Sequence, residues 1–260
     1  MEPPAWCDPL PLTWPGALWA LCYPEPHRAP RGLCGLRAEA LRSAGVAGLC
    51  QAPRGPRLPG GLRVLGKGHA GVVALAYTRW GPAAVKVLRL DSRRASLERE
   101  AALQAAAARA GAAPEPLAWG GWFIVSRYIP GPTLGSLGSP PPGWAVVAAV
   151  EAARALDAAG VEHYELHRPW RSVLYTSTRG GPVAVVVDYE SAGRGCGSLV
   201  RLVAGLAARV PGLRAAAVGG RLRPLLREYK LGGCPHHLYR EIHASVAAAV
   251  GVETGWEDAG

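Results

Sequence analysis

GLRVLGKGHAGVVALAYTRWGPAAVKVLRL, residues 61–90, decides how the rest of the chain is read. Three short β-branched runs, GLRVL, VVALAYT and AAVKVLRL, are separated by the glycine-rich GKGHAG and the turn RWGP, which predicts three strands of an antiparallel meander. Gly66, Gly68 and Gly71 form G-x-G-x-x-G, with Lys67 and His69 inside the loop and Val73 just beyond it. A dinucleotide-binding fold needs this loop to open a helix, so that the pyrophosphate meets the helix N-terminus. Here the loop opens the strand-like VVALAYT, and Asp91, at the spacing of a ribose-binding acid, lacks the helix that would give it that role. Gly61 to Lys67 fits most of a P-loop, but Gly68 stands where Ser or Thr would hold magnesium, and again no helix follows. Two readings remain: a hairpin tip laid over phosphates, and a glycine hairpin with no ligand.

Outward from this stretch, composition sets bounds. With 260 residues, 49% hydrophobic and 18% charged, the chain has material for a large core. Lysine occurs only at Lys67, Lys86 and Lys230 amid abundant arginine, so a lysine at a demanding position carries information. The net charge of +10 favours anionic partners such as nucleotides, RNA or acidic proteins without choosing among them. The amino end is broken by prolines and lacks a basic segment ahead of an apolar one, which argues against a signal peptide. No uncharged apolar run reaches the roughly 18 residues of a membrane span. A cytoplasmic protein without membrane attachment is expected. Cys7, Cys22, Cys34, Cys50, Cys196 and Cys234 contain no C-x-x-C pair, so buried thiols are expected rather than zinc, with disulfides open to a hyperthermophile. Cys234, His236, His237 and His243 make the one metal-like cluster, which a helix-start loop with surface histidines explains equally well.

Residues 1–58 read as an irregular Cys-, Pro- and Trp-rich extension with one helical stretch, Leu36 to Ser43. Residues 59–129 form a first lobe: the meander, an alanine-rich helix with Ser92 as N-cap and Gly111 and Pro114 at its end, and a strand in WFIVSRYI. The Pro/Gly-rich segment 130–143 reads as a linker. Residues 144–260 hold a helix from Trp144 to Ala159, a loop-strand-turn-strand unit in GVEHYELHRPWRSVLYT and PVAVVVDYE, and helices around LVRLVAGLAARV, LRPLLREYK and LYREIHASVAAAV. The class is α+β.

Lys86 follows Gly71 on the third predicted strand and precedes a helix carrying Glu98 and Glu100. With FIVSRYIPGPTL, His163 and Glu165 in EHYEL, and Asp188 in VVVDYE, the ordered set over residues 61–200 resembles the protein-kinase superfamily. The resemblance implies a two-lobed protein-kinase-like fold, with a small antiparallel sheet and one helix in the N-lobe and a mainly helical C-lobe. It implies that Gly66, Lys67, Gly68, His69, Gly71 and Val73 cover ATP, that Lys86 meets the phosphates, and that Glu100, rather than Glu98 on another helix face, fixes Lys86. Ser126 takes the gatekeeper position, and the backbone of Arg127, Tyr128 and Ile129 meets the adenine edge. Glu165 stands in place of the family's catalytic aspartate. Ser172 replaces its metal-binding asparagine, Asp188 matches its metal-binding aspartate, and Glu190 follows Tyr189 where glycine is usual. ATP with Mg2+, or Mn2+ in its place, is the implied cofactor set.

LCYPEP, HYEL, DYESA and REYK look more narrowly like a group of archaeal predicted serine/threonine kinases. Few residues separate Asp188 from the next helix and no A-P-E phrase follows, which is similar to RIO-type minimal kinases. An atypical kinase capable of autophosphorylation is expected, with a protein or a small molecule as acceptor. The competing expectation is a catalytically inactive nucleotide-sensing module associated with RNA, motivated by Glu165, Ser172 and the basic residues Arg209, Arg214, Arg221, Arg223, Arg227 and Lys230. Against that, the basic stretch reads equally as a solvated helical surface.

Overall fold

The computed structural model describes residues 7–253. The chain divides into two compact units, residues 7–102 with Glu115–Tyr128, and Leu103–Pro114 with residues 129–253.

The first unit begins with more regular structure than the single stretch Leu36 to Ser43. Its elements are α1 (Pro15–Leu21), α2 (Leu33–Ser43) and a strand, β1 (Val46–Cys50). Then come β2 (Gly66–Lys67), β3 (Gly71–Thr78), β4 (Gly81–Leu88), α3 (Glu98–Arg109), β5 (Pro116–Gly120) and β6 (Phe123–Arg127). The sheet runs β1-β3-β4-β6-β5 with every pairing antiparallel, and β2 pairs with β3 off this path. Strand alternation sends Ala83, Val85 and Val87 of β4 into a core with Leu21, Leu41 and Val125, beneath α1 and α2. Lys86 therefore lies on the opposite face, where Ile124 packs with Leu97 and Ala101 at the start of α3.

Two local expectations are corrected here. GLRVL forms no strand, β2 starting just past it at Gly66, because its backbone is used by residues 52–58: Ala52 N donates to Arg63 O at 3.0 Å and Val64 N to Pro56 O at 2.9 Å. The helix predicted from Ser92 starts at Glu98, whose N–H donates to Ser96 Oγ at 3.1 Å, while Ser92 Oγ closes a turn with Arg94 N. The cysteines are not buried thiols. Disulfides join Cys7 to Cys50 and Cys22 to Cys34 in the first unit, and Cys196 to Cys234 in the second. Cys234 is thereby removed from the metal-like cluster.

The second unit contains α4 (Gly143–Ala158), β7 (Val161–Glu162), a 3-10 turn (Tyr164–His167), the hairpin β8 (Val173–Thr178) and β9 (Gly181–Val186), a second 3-10 turn (Tyr189–Ser191), and β10 (Gly193–Arg194) paired with β7. It ends in α5 (Ser198–Ala207), α6 (Pro211–Gly219), α7 (Leu222–Leu231) and α8 (His236–Ala249). Val146, Val150, Leu156, Leu202, Leu206 and Ile242 build its core. The segment 130–143 is bound to β8: Tyr175 N donates to Pro132 O at 3.0 Å and Thr133 bridges Leu174. Sequence reading missed α6 because Gly212 looks like a breaker. A Cβ there would strike the Ala249 carbonyl, so glycine serves close approach to α8. Among the described residues no single helix is long and apolar enough to cross a membrane; α5 and α6 reach that length only together, across a 112° bend.

Candidate functional site

The candidate residues fall into two sets, one in each unit. In the first, register places Val73 opposite Lys86 on neighbouring strands. Lys86 Nζ lies 2.6 Å from Glu100 Oε1, with side-chain exposures of 12% and 3%, whereas Glu98 faces solvent. Opposite charges so far from water persist only when closely paired. The hairpin between β2 and β3 is closed by Gly68 N donating to Gly71 O at 2.9 Å, leaving Lys67, Gly68 and His69 exposed at its tip and Gly66 half-buried. A Cβ on Gly71 would lie 2.9 Å from the Val87 carbonyl and 3.2 Å from the Lys86 side chain, so glycine at the start of β3 leaves the neighbouring strand's lysine its space.

Two supports of this hairpin escaped sequence reading. The Tyr23 ring lies 5.4 Å from Lys67 Nζ and 4.9 Å from the Arg89 guanidinium carbon. Arg89 also donates to Gly68 O at 3.0 Å and is held by Asp91 at 2.6 Å, which gives Asp91 a structural partner in place of a ribose. The only signal for Tyr23 was its place in LCYPEP. Ser126 is buried, Arg127 is exposed and paired with Glu115 at 3.0 Å, and burial pushes the half-buried Tyr128 hydroxyl up. The N–H groups of Arg127 and Tyr128 donate to the Glu115 and Pro82 carbonyls at 2.9 and 3.3 Å. Ile129 follows in the second unit, half-buried.

In the second unit His163 is fully buried. Its Nε2 lies 3.2 Å from Val187 O, and its ring meets the Tyr189 ring edge-on with centroids 5.2 Å apart. Burial holds its imidazole below the usual range, with the Val187 carbonyl and Asp188 pulling the other way. The histidine thereby ties the loop it opens to the turn that carries Asp188. Asp188 is exposed and left-handed, at φ 67°, a conformation costing an L-residue free energy and concentrated at functional turns. Glu165 is exposed on the Tyr164–His167 turn. Ser172 accepts from Val187 N at 2.8 Å through its carbonyl, while its buried hydroxyl has no hydrogen-bond partner among the described residues. Glu190 is half-buried two residues after Asp188.

Asp188, Glu190 and that unsatisfied Ser172 hydroxyl offer hard oxygen donors, the chemistry magnesium selects. Among the described residues no group of three or more His, Cys, Asp or Glu could hold a metal by itself. Magnesium here would thus depend on phosphate oxygens as further ligands, as it commonly does in nucleotide sites.

The basic stretch is partly used within the fold. Arg209 lies over the Trp170 ring at 4.3 Å, Arg214 donates to the Ala207 and Ala208 carbonyls, and Lys230 approaches Glu162 at 3.5 Å. Arg221, 3.9 Å from Glu241, and Arg223 and Arg227 project from the start and face of α7.

A glycine-rich hairpin, a strand lysine, its helix glutamate, a histidine-led loop and an aspartate turn succeed one another along the chain. The fold is α+β, a small antiparallel sheet in one unit and a mainly helical second unit. No family model matches the chain, and no curated protein matches it. Among solved structures it is similar to the Rio2 kinase from Chaetomium thermophilum, with a TM-score of 0.47 and 14% identity, over 83% of this chain and 76% of that one. It is also similar to the Rio2 kinase-ADP/Mg2+-phosphoaspartate complex from the same organism, with a TM-score of 0.45 and 13% identity, over 84% and 75%.

Proposed function

We propose that this chain is an ATP- and magnesium-dependent phosphotransferase, an atypical serine/threonine protein kinase able to phosphorylate itself. The observation that carries the reading is the buried Lys86–Glu100 pair at 2.6 Å, its lysine on the strand next to the one that leaves the Gly66–Gly71 hairpin. A desolvated lysine costs free energy, and its use is to present a positioned cation to an anion. Lys86 would bind the nucleotide phosphates, with Glu100 fixing its direction, while Gly66, Lys67, Gly68, His69, Gly71 and Val73 cover them. Ser126 and the backbone of the 127–129 segment would border the adenine. Magnesium, or manganese, held by Asp188 with Glu190 and Ser172, would neutralise charge developing on the transferred phosphoryl group. Glu165 would accept the proton of the acceptor hydroxyl. The short span between Asp188 and α5 suits a folded protein or a small molecule as acceptor better than an extended peptide. The archaeal affiliation rests on LCYPEP, HYEL, DYESA and REYK, and a cytoplasmic site on the amino-terminal composition.

The test is a radiolabelled-ATP assay on the wild type alone and with candidate acceptors, beside thermal melting with ATP and magnesium. Wild type should gain melting temperature with the nucleotide, and Lys86→Ala should lose that gain. Asp188→Ala should abolish transfer, and Glu165→Ala should slow it by roughly 10²-fold with binding intact. A melting curve unmoved by millimolar ATP and magnesium would end the ATP reading. A second reading, a nucleotide-sensing module without transferase activity, is favoured by Glu165 and Ser172 replacing the family's aspartate and asparagine, and firm ATP binding without any transfer would select it. Its association with RNA would rest on Arg221, Arg223 and Arg227, whose charge reversal should then weaken salt-sensitive RNA binding and spare ATP.

A further inference from the structure

Asp157, on the last turn of α4, is 6% exposed and lies outside every motif read from the sequence. Its Oδ1 accepts from the backbone N–H groups of Gly197 and Ser198, each at 2.8 Å, and its Oδ2 from Leu199 N and the Tyr229 hydroxyl, each at 3.1 Å. These backbone donors are the ones a helix leaves unsatisfied at its start, here the start of α5. Burial pushes the Asp157 carboxyl up while its four donors pull it down. Ser198, fixed by that carboxylate, is itself fully buried. Its hydroxyl donates to Val161 O at 2.9 Å and accepts from His163 N at 3.1 Å, so one oxygen holds both ends of the segment entering the histidine-led loop. His163 then reaches Val187 O at 3.2 Å, one residue before Asp188. Among the described residues of this unit, Asp157 is the one buried carboxylate.

We infer that Asp157 is a positioning residue for phosphate transfer, acting through the Ser198 hydroxyl to set His163 and, through it, Glu165 and Asp188. The inference rests on the phosphotransferase reading, but its physical core, control of the 161–163 segment from α4, is measurable without any activity. A carboxylate that merely caps α5 would stabilise the fold and leave exchange at His163 in Asp157→Asn as in wild type, because the Ser198 hydroxyl meets His163 N directly. A positioning carboxylate makes the hydroxyl essential, because Ser198→Ala keeps the backbone N–H bonded to Asp157 and deletes only the bridge to the loop.

The experiment uses the full, oxidised chain as wild type, Ser198→Ala and Asp157→Asn. Amide hydrogen exchange at His163 should be roughly tenfold faster or more in both variants, the scale of one lost hydrogen bond, while amides around Ile242 in α8 stay within about twofold of wild type. In the transfer assay the turnover rate at saturating ATP should fall about tenfold, with KM for ATP held within about twofold, since positioning of the acceptor-side groups is lost and phosphate binding is kept. Unchanged exchange at His163 in Ser198→Ala overturns the inference, as does unchanged turnover in an active wild type. If the wild type transfers no phosphate at all, the parent reading fails by itself, and faster exchange at His163 still supports control of the loop by Asp157. Should Asp157→Asn not fold, Asp157→Glu, which shifts the carboxylate by one methylene, is measured in its place, and exchange at His163 as slow as in wild type there overturns the inference.

Discussion

Removing either member of the Lys86–Glu100 pair leaves a charge in a place that water reaches poorly. Glu100→Ala should therefore cost about 3–5 kcal/mol by chemical denaturation. The double variant Lys86→Met with Glu100→Leu should recover most of that loss yet show no melting shift with ATP and magnesium. Failure of the double variant to recover would mean that packing, not charge, dominates the single loss. His163 supplies a pH signature. Its folded pKa lies below the ordinary value of 6.5, chiefly through burial, so as pH falls below that value the unfolded chain takes up the proton first. Stability should be complete above about pH 6.5 and decline from there toward the folded pKa. Melting temperatures between pH 7.5 and 5 should fall less steeply in His163→Asn than in wild type. Tyr189 makes the opposite kind of prediction: its hydroxyl is buried with no hydrogen-bond partner among the described residues. Tyr189→Phe should then be neutral or stabilising by about 1 kcal/mol, because an unmet hydroxyl costs and an apolar edge does not. A loss of more than that would reveal a partner for the oxygen.

At the scale of elements, the hairpin joining β2 and β3 depends on having no side chain at Gly71. Gly71→Ala should displace either the Val87 backbone or the Lys86 side chain, costing about 1–3 kcal/mol and weakening ATP binding together. A variant as stable as wild type with unchanged ATP affinity would refute this close approach. This hairpin was legible because β3 is a run of β-branched and apolar residues, β4 alternates, and their glycine turns are local signals. Lys86, Glu100 and Asp188 were legible through their order along the chain. Asp157 and Ser198 were not, since their meaning lies in hydrogen bonds between residues 35 and more positions apart. Nor was β1, whose VAGLC is short and glycine-interrupted and becomes a strand only by pairing with β3. The helix start was misplaced because Ser92 and Ser96 are equally good caps by type. What separates them is tertiary: Leu90 N donates to Tyr23 O at 2.9 Å and Leu97 N to Gly121 O at 2.7 Å, and the residues between them run as turns and bends.

For the whole molecule, the disulfides close sequence separations of 43, 12 and 38 residues. Loops of these lengths stabilise a fold by about 2–4 kcal/mol each in the chain-entropy view. Melting in strong reductant should accordingly fall well below melting of the oxidised protein, and equal melting would show the bridges to be energetically idle. The Cys22–Cys34 bridge reaches further, because Tyr23 is the next residue and lies against both Lys67 and Arg89 of the glycine hairpin. This bears on how the protein is manufactured. The cytosol of an ordinary bacterial host keeps thiols reduced, and chain produced there would carry its cysteines as sulfhydryls until oxidised. Before any silent assay is blamed on Glu165, the preparation should be titrated for sulfhydryl groups, since an inert batch would report the redox balance of the host rather than the chemistry of the chain.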